Sequence, residues 1–433
     1  MNKFLSVALA TFGCPKNLVD SEKIITRLLN LGYKVTDDYT KADLVVINTC
    51  GFINDAILES LENINAALQE NGKVIVTGCL GAKQEIILKN CPEVLEITGP
   101  NETEKLIQLV QKHLPLTKKP KIRTNALLSQ NIKLTPKHYA YLKISEGCNH
   151  ACSYCIIPDL RGKLKSRALK EIIAEAKMLI ANGAKELIIV SQDTAAYGTD
   201  LKTSNFQELI FALSELKAWI RLHYLYPYPH IDKVLPLMAK EKIVPYLDVP
   251  LQHANSRILC LMSRPANDEN MLQRIKSWRE ICPDLTIRST FIVGFPGETE
   301  KEFQDLLSFI SKVKFDRVGC FKYSDVDGAK ANSFPNKISE DIKEKRFHEF
   351  MSLQQKISIE KLKRKIGKII KVIVDDFDDD GCIIGRSFAD SPDIDGLVFV
   401  RNTENKKIIQ GDIIDVQIEN SDEYDLYGKI LFA

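Results

Sequence analysis

Two hydrophobic patterns alternate along the first 115 residues. Apolar runs at residues 4–13, 42–49 and 73–78 are typical of buried strands, and the segment from Ser21 to Gly32 carries apolar residues at helical spacing. Ser21 is expected to cap that helix, and Gly32 is expected to end it. Strands that alternate with helices predict a parallel sheet covered by helices, so residues 1–115 should form a Rossmann-like α/β domain.

The same alternation returns after residue 138 and repeats six times. Strand patterns lie at residues 139–147, 186–193, 219–227, 246–253, 286–296 and 317–325, with helical patterns between them. Repeated βα units predict a partial (βα)6 barrel whose site lies at the carboxyl ends of the strands. A charged helix should follow, starting near Ser339 and ending before Gly367, so that this domain spans residues 138–366.

The pattern changes again after residue 366. Five short β runs separated by turns predict a small antiparallel β-barrel over residues 367–433. Between the first two domains, residues 116–137 form a basic stretch that contains proline and no sustained periodicity, which indicates a linker. The chain is therefore an α/β protein of three domains.

Charge is distributed unevenly over these domains. The whole chain of 433 residues carries a net charge of +2, but residues 367–433 hold seven Lys and Arg against fifteen Asp and Glu, a net charge of −8. A small barrel that gripped RNA should be basic, since phosphate contacts dominate such binding. We therefore expect no stable nucleic-acid binding and a basic protein as partner. No apolar run approaches the roughly 18 residues of a membrane span, so no membrane association is expected.

Eleven cysteines are scattered along the chain, an odd number that does not form a secreted disulfide framework. They indicate a reducing compartment, and we expect a cytoplasmic protein. Three of them, Cys148, Cys152 and Cys155, form a C-x3-C-x2-C motif after the first barrel strand. Three thiolates leave one coordination position open, which favours an iron–sulfur cluster with a position for a cofactor. Structural zinc, with His150 as a fourth ligand, is the alternative.

Three further cysteines follow the three N-terminal strands: Cys14, Cys50 and Cys79. The carboxyl ends of parallel strands share one edge of a sheet, so these thiols are expected to converge there. The pattern predicts a second three-cysteine cluster. The remaining cysteines have no partner spacing and are interpreted as structural: Cys91, Cys260, Cys282, Cys320 and Cys382.

Polar and small residues follow other barrel strands at the same predicted edge. The motif at residues 294–298, GFPGE, supplies glycines where a bulky cofactor must approach the backbone. For His253 a structural hydrogen-bonded role is equally consistent with the sequence. The candidate cofactor-binding residues from these strand ends are Gln192, Asp193, Gln252, His253, Gly294, Gly297 and Glu298.

With these motifs assembled, the chain resembles the radical S-adenosylmethionine methylthiotransferase family over its full length, including a C-terminal TRAM domain. Residues 12–22, 191–198, 222–229 and 391–396 are similar to the branch that modifies an aspartate of small-subunit ribosomal protein twelve. The resemblance implies a radical 4Fe–4S cluster on Cys148, Cys152 and Cys155, an auxiliary 4Fe–4S cluster on the three N-terminal cysteines, and S-adenosylmethionine as cofactor. It also implies that Tyr154 lies near the adenine.

The resemblance further implies a mechanism. A 5′-deoxyadenosyl radical would abstract a hydrogen atom from the aspartate β-carbon, and the auxiliary cluster would deliver the methylthio group. No side chain is assigned as a catalytic acid or base. An electron donor such as flavodoxin or ferredoxin is implied as a partner, beside the basic ribosomal protein. Two alternatives remain: a tRNA methylthiotransferase of the same family, and a non-enzymatic iron–sulfur or zinc scaffold.

Overall fold

The N-terminal domain is built on a parallel sheet, as its alternating pattern predicts. The computed structural model describes residues 5–116, 132–264, 270–401 and 407–431. The strands are β1 (Ser6–Thr11), β2 (Lys34–Thr36), β3 (Leu44–Thr49), β4 (Val74–Gly78) and β5 (Glu96–Ile97). The helices are α1 (Pro15–Leu31), α2 (Asn54–Glu70), α3 (Gln84–Asn90) and α4 (Thr103–His113). The sheet order is β2-β1-β3-β4-β5, so two short edge strands join the three predicted ones.

The first helix differs from its prediction at one end. Gly32 ends α1 in the left-handed conformation, as expected, but the helix begins at Pro15 and not at Ser21. Ser21 is buried within the helix, where its hydroxyl accepts hydrogen bonds from Thr11 at 2.6 Å and from Asn48 at 2.8 Å. Proline at the first helical position lacks only an N–H that would have no intrahelical acceptor, so the helix starts directly after Cys14.

The central domain is an open barrel of six parallel strands. A small two-stranded antiparallel sheet of β7 (Ser145–Glu146) and β8 (Lys165–Ser166) lies beside it. The barrel strands, in sheet order, are β6 (Tyr139–Lys143), β9 (Glu186–Val190), β10 (Trp219–Leu222), β11 (Tyr246–Asp248), β12 (Thr286–Val293) and β13 (Arg317–Lys322). The helices are α5 (Ile157–Arg161), α6 (Leu169–Ala181), α7 (Phe206–Ser214), α8 (Leu235–Ala239), α9 (Ser256–Leu261), α10 (Met271–Ile281), α11 (Glu300–Val313) and α12 (Glu340–Lys363). The predicted six-fold βα repeat is therefore present, and α12 is the predicted charged helix.

The inner face of this open barrel is covered by the N-terminal domain. Leu187 and Ile189 of β9 belong to the main core, which also contains the covering helices. Ile188 and Val190 alternate with them and form a separate apolar cluster with Val19 of α1. Residues on both faces of β9 are therefore apolar, which explains its continuous hydrophobic run. The predicted linker, residues 116–137, lies largely outside the described residues.

The C-terminal domain is a closed five-stranded barrel in the order β14-β15-β16-β18-β17. Its strands are β14 (Ile369–Phe377), β15 (Ile383–Ser387), β16 (Val398–Arg401), β17 (Ile413–Ser421) and β18 (Leu426–Ile430). The prediction of an entirely antiparallel barrel is wrong at one pair, since β16 and β18 are parallel. This parallel pair lies where the ring closes between strands that are not consecutive in the chain. None of the described helices is both long and apolar enough to cross a bilayer.

Buried ion pairs connect this barrel to the central domain. Glu186 of β9 is fully buried and accepts hydrogen bonds from Arg221 at 2.7 Å and from Arg386 at 2.8 Å. Arg317 of β13 pairs with Asp390 of the barrel. A buried charge is tolerated only when it is paired, so these contacts fix the barrel firmly on the central domain.

Candidate functional site

Cys148, Cys152 and Cys155 lie on a loop that follows β7. Its first residue, Gly147, has φ of 76°, and a Cβ there would lie 2.2 Å from a backbone oxygen, so only glycine fits. The backbone N–H of Cys148 donates to Gly162 at 3.1 Å, and that of Cys155 donates to Cys152 at 3.0 Å. All three thiols line both a cavity of about 230 Å³ and a neighbouring one of about 550 Å³. The motif therefore presents its three sulfur atoms together.

The environment of these thiols determines what they can bind. Burial raises the pKa of Cys148 to about 11 and that of Cys155 to about 12. Iron ligands are thiolates, so the positive charge of a bound metal has to supply the ionisation that the protein alone does not. Sulfur donors with one position left open fit a 4Fe–4S cluster. Among the described residues, no three His, Cys, Asp or Glu side chains are arranged to hold a single metal ion.

Three of the predicted cofactor-binding residues from the strand ends meet in the smaller cavity: Gln192, Asp193 and Gln252. Tyr154, from the cysteine loop, lies in the same wall. Gln192 donates to Glu146 at 2.5 Å, which connects this wall to the strand before the cysteine loop. The carboxyl edge of the open barrel thus forms one pocket, as the strand pattern predicts.

His150 has partners of its own in this wall. Its Nε2 lies 2.9 Å from Asp193, and the Tyr228 hydroxyl lies 2.8 Å from the same nitrogen. The His150 ring stacks on Tyr226 at 4.3 Å between centroids. These contacts occupy Nε2 of the imidazole and make the ring part of an aromatic wall beside the thiols.

The other four predicted cofactor residues are grouped elsewhere, around the buried carboxylate of Glu298. Glu298 accepts hydrogen bonds from the Gly294 backbone at 2.5 Å and from Arg346 of α12 at 2.8 Å, and it lies 3.1 Å from Nε2 of His253. Gly297 belongs to the same turn, with φ of 83°. None of the four lines the described cavity with the thiols. His253 thus has the hydrogen-bonded surroundings of the structural alternative.

Cys14, Cys50 and Cys79 lie together at the carboxyl edge of the N-terminal sheet. A Cβ on Gly13 would lie 2.8 Å from Cβ of Cys50, so the loop before Cys14 passes directly over Cys50. Asn17 joins these loops, because its amide donates to the backbone oxygens of Phe12 at 2.8 Å and Thr49 at 3.0 Å.

The three N-terminal thiols differ in their electrostatic surroundings. Burial raises the pKa of Cys79 to about 11. Burial also opposes ionisation of Cys14, but Lys16, Arg161 and backbone N–H groups outweigh it and lower the pKa of that thiol. The set is therefore made of sulfur donors with cations beside them, which suits a cluster of thiolate-bound iron.

Arg161 connects the two cysteine sets. It belongs to α5, directly after the C-x3-C-x2-C loop, and its Nε donates to the sulfur of Cys79 at 3.2 Å. Its Nη1 lies 2.8 Å from Glu146 and 3.2 Å from Asp20 of α1. A single buried guanidinium thus bridges the N-terminal domain to the central domain.

Further contacts place the N-terminal sheet edge over the barrel mouth. Phe52, two residues after Cys50, lines the smaller cavity together with the Cys148 loop. Cys79 packs with Ile156 and Leu160 of the central domain. Both cysteine sets therefore lie at the interface between the N-terminal and central domains.

Several of these residues were missed from the sequence alone: Phe52, Arg161, Tyr224, Tyr226 and Arg264. Tyr224, Tyr226 and Arg264 line the smaller cavity, where the Arg264 guanidinium lies 4.2 Å from the Tyr226 ring centroid. Tyr224 and Tyr226 fall within one strand-end stretch that the sequence singled out, whereas Phe52 and Arg161 have no local signal. Among the five cysteines interpreted as structural, Cys91, Cys282 and Cys320 are buried, Cys382 is half-buried and Cys260 is exposed.

Comparison with known proteins identifies the domains. Residues 6–99 match the uncharacterized protein family UPF0004, residues 142–310 match the radical SAM superfamily, and residues 366–431 match the TRAM domain. The chain is 54% identical to the ribosomal protein uS12 methylthiotransferase RimO of Histophilus somni, over 99% of this chain and 100% of that one. The chain belongs to the RimO family of radical SAM methylthiotransferases.

Other members of the RimO family are equally similar. The RimO of Proteus mirabilis is 54% identical over 99% of both chains, and that of Escherichia fergusonii is 55% identical over 98% of both. Among solved structures, the radical S-adenosylmethionine methyltransferase TsrM of Kitasatospora setae aligns with a TM-score of 0.55 and 14% identity, covering 73% of each chain. That likeness concerns the fold alone. Family membership implies a 4Fe–4S cluster and S-adenosylmethionine at the radical SAM domain.

Proposed function

We propose that this protein transfers a methylthio group to the β-carbon of an aspartate in ribosomal protein uS12. The RimO relatives carry ribosomal protein uS12 in their names and match the chain over nearly its full length. The observation that carries the proposal is the position of Cys14, Cys50 and Cys79 at the interface that also holds the C-x3-C-x2-C loop. A methyltransferase or a simple radical enzyme would need only the three cysteines of the C-x3-C-x2-C loop.

Each of the two cysteine sets would hold one iron–sulfur cluster. Cys148, Cys152 and Cys155 would hold the radical 4Fe–4S cluster, with S-adenosylmethionine in the cavity beside them. The N-terminal set would hold an auxiliary 4Fe–4S cluster. When bound, the cofactors supply an electron, a carbon-centred radical able to remove an unactivated hydrogen atom, and the sulfur that is transferred.

The protein's own residues shape and shield the cavity beside the C-x3-C-x2-C loop. Phe52 covers the cavity from the N-terminal side, and Tyr224 and Tyr226 line it from the barrel, so aromatic rings form part of its walls on both sides. Such walls exclude water, which protects a reactive intermediate from side reactions. The cavity wall itself is held by the hydrogen bonds of Gln192 and Asp193 to their neighbours.

The partners follow from this substrate. uS12 is a ribosomal protein, so a cytoplasmic location is part of the proposal, and a flavodoxin or ferredoxin would supply electrons. The TRAM domain carries an exposed acidic stretch, residues 376–380, at the end of β14, and this stretch suits a basic protein and repels phosphate backbones. The tRNA-modifying alternative within the family has no comparable observation in its favour.

The test uses the anaerobically reconstituted enzyme with uS12 and mass spectrometry. We expect about eight iron atoms per chain, since two 4Fe–4S clusters are bound, and a methylthio group on uS12. Cys152→Ala should abolish S-adenosylmethionine cleavage, whereas Cys50→Ala should allow cleavage but stop thiolation. A methylthio product from the Cys50→Ala protein would refute the role of the N-terminal cysteines. Methylthiolated adenosine in tRNA, with unmodified uS12, would favour the alternative substrate.

A further inference from the structure

Lys16 stands between the two cysteine sets. It is the second residue of α1 and follows Cys14 by two positions. Its ammonium lies 3.6 Å from the ring centroid of Tyr224, and Tyr224 lines the cavity that holds the C-x3-C-x2-C thiols. One side chain thus reaches from the auxiliary cysteine site to the wall of the radical cavity.

The backbone holds Tyr224 where it meets this lysine. Tyr224 has a left-handed backbone with φ of 58°, which is uncommon for an aromatic residue. The conformation is kept because the Tyr224 N–H donates to the Asp248 carboxylate at 2.9 Å, and its carbonyl accepts from Thr194 at 3.0 Å. The aromatic platform under the ammonium is therefore fixed before any substrate arrives.

The acidic groups beside the Lys16 ammonium are the Tyr224 hydroxyl and the Cys14 thiol. Among the residues that the structure describes, no carboxylate lies within ion-pair distance of its ammonium. The neighbouring cations differ, because Lys143 and Arg161 each contact both Asp20 and Glu146. No carboxylate neutralises this half-buried ammonium, so an arriving carboxylate would add the ion pair that its neighbouring cations already have.

Arg264, a cation that lines this cavity, belongs to the cofactor side. Arg264 lies close to Cys152 and Tyr154 and touches the backbone oxygen of Pro250 at 2.6 Å. S-adenosylmethionine is expected on that side of the cavity, so Arg264 would interact with the cofactor. Lys16, beside Cys14, lies on the side from which the methylthio group would come.

We propose that the ammonium of Lys16 binds the side-chain carboxylate of the target aspartate. This rests on the proposed function, in which an aspartate must offer its β-carbon to the radical cavity while its carboxylate sits one carbon away. Lysine supplies a point charge with three donors, and the Tyr224 ring stabilises that charge while leaving donors for the substrate. The lysine would thereby select aspartate over its uncharged isostere.

The experiment compares two forms of uS12, one with the target aspartate and one with asparagine at that position. Their dissociation constants are measured by fluorescence anisotropy with the reconstituted holoenzyme in four versions: wild type, Lys16→Met, Lys16→Arg and Lys83→Met. Lys83 also bridges the two domains, but its ammonium lies 3.2 Å from Asp327, whereas that of Lys16 lies over the Tyr224 ring. Lys83→Met therefore controls for loosening of the interface.

The wild type should bind the aspartate form about tenfold or more tightly than the asparagine form, as expected for a hydrogen bond between charged groups. Lys16→Met should bind both forms equally, while Lys16→Arg and Lys83→Met should keep the preference. The affinity of Lys16→Met for S-adenosylmethionine should stay within about twofold of the wild type, since its charge is not used for the cofactor.

Two results would overturn this role. One is a Lys16→Met protein that keeps the wild-type preference, or a wild type with none. The other is loss of S-adenosylmethionine binding in Lys16→Met, which would make Lys16 a cofactor residue. Failure of the proposed function is distinguishable, because then the wild type would leave uS12 unmodified. A wild type that modifies uS12, with the preference unchanged in Lys16→Met, would remove only the Lys16 assignment.

Discussion

Arg161 offers the sharpest test of how the two domains are held together. In Arg161→Met the side chain keeps its apolar length but loses the charge that contacts Glu146 at 2.8 Å and Asp20 at 3.2 Å. Breaking a buried ion pair by removing one partner costs about 3–5 kcal/mol. Lys143 still contacts both carboxylates in the variant, so the lower end, about 3 kcal/mol, is expected.

The measurement is calorimetric unfolding of the anaerobically purified protein. For a domain of this size, about 3 kcal/mol corresponds to a fall in Tm of about 6–12 °C. The control is Arg257→Met, because Arg257 also grips a carboxylate with two hydrogen bonds of 2.6 Å, to Glu302, but its side chain is 51% exposed. An exposed pair contributes below about 1 kcal/mol. Equal shifts in the two variants would refute the reasoning from burial.

Three further outcomes are expected. Arg161→Met should lower the midpoint potential of the N-terminal cluster in an EPR-monitored titration and leave the radical cluster unchanged, because a hydrogen bond to a ligand sulfur is lost. Gly13→Ala should halve the iron content, since Gly13 has φ of 94° and a Cβ there would lie 2.8 Å from Cβ of Cys50. The control Gly381→Ala should keep all iron, because Gly381 also has a positive φ, 78°, but free space around it. Burial opposes ionisation of Glu186, but two arginines outweigh it and hold the pKa of this carboxyl below the usual value. The ion pairs of Glu186 therefore stabilise the fold at neutral pH, and this stabilisation is lost as the pH falls through the lowered pKa. Glu186→Gln should therefore destabilise the docked TRAM domain at pH 7 by about 3–5 kcal/mol, and unchanged unfolding at pH 7 would contradict this.

The sequence predicted the placement of the cysteines well because that placement follows from topology. Once Cys50 and Cys79 are seen to follow buried strands, a parallel sheet leaves them no other edge. The same logic brought Gln192 and Gln252 to the cavity wall. Periodicity and strand direction are local properties of the sequence, and they are sufficient for these residues.

Other features depend on partners that are distant in the chain. Arg161 contacts Asn17 and Cys79, which precede it by 144 and 82 residues, and no pattern in the sequence joins them. The start of α1 was wrong for a related reason. Ser21 looked like a cap because of its residue type, but its hydroxyl is occupied by the side chain of Asn48 on a neighbouring strand. Tertiary contacts of this kind override local preference.

The acidity of the TRAM domain shows how a net charge acquires meaning from structure. Three of its carboxylates face the central domain: Asp375 lies 2.6 Å from His138, Asp395 lies 3.4 Å from Arg288, and Asp390 pairs with an arginine of β13. Without these three and Arg386, twelve acidic and six basic residues remain, a net charge of −6. Part of the acidity therefore serves docking inside the molecule, and only the rest can attract a partner. The exposed stretch at residues 376–380 holds four aspartates among five residues, so a basic ribosomal protein should meet the domain there rather than at its docked face.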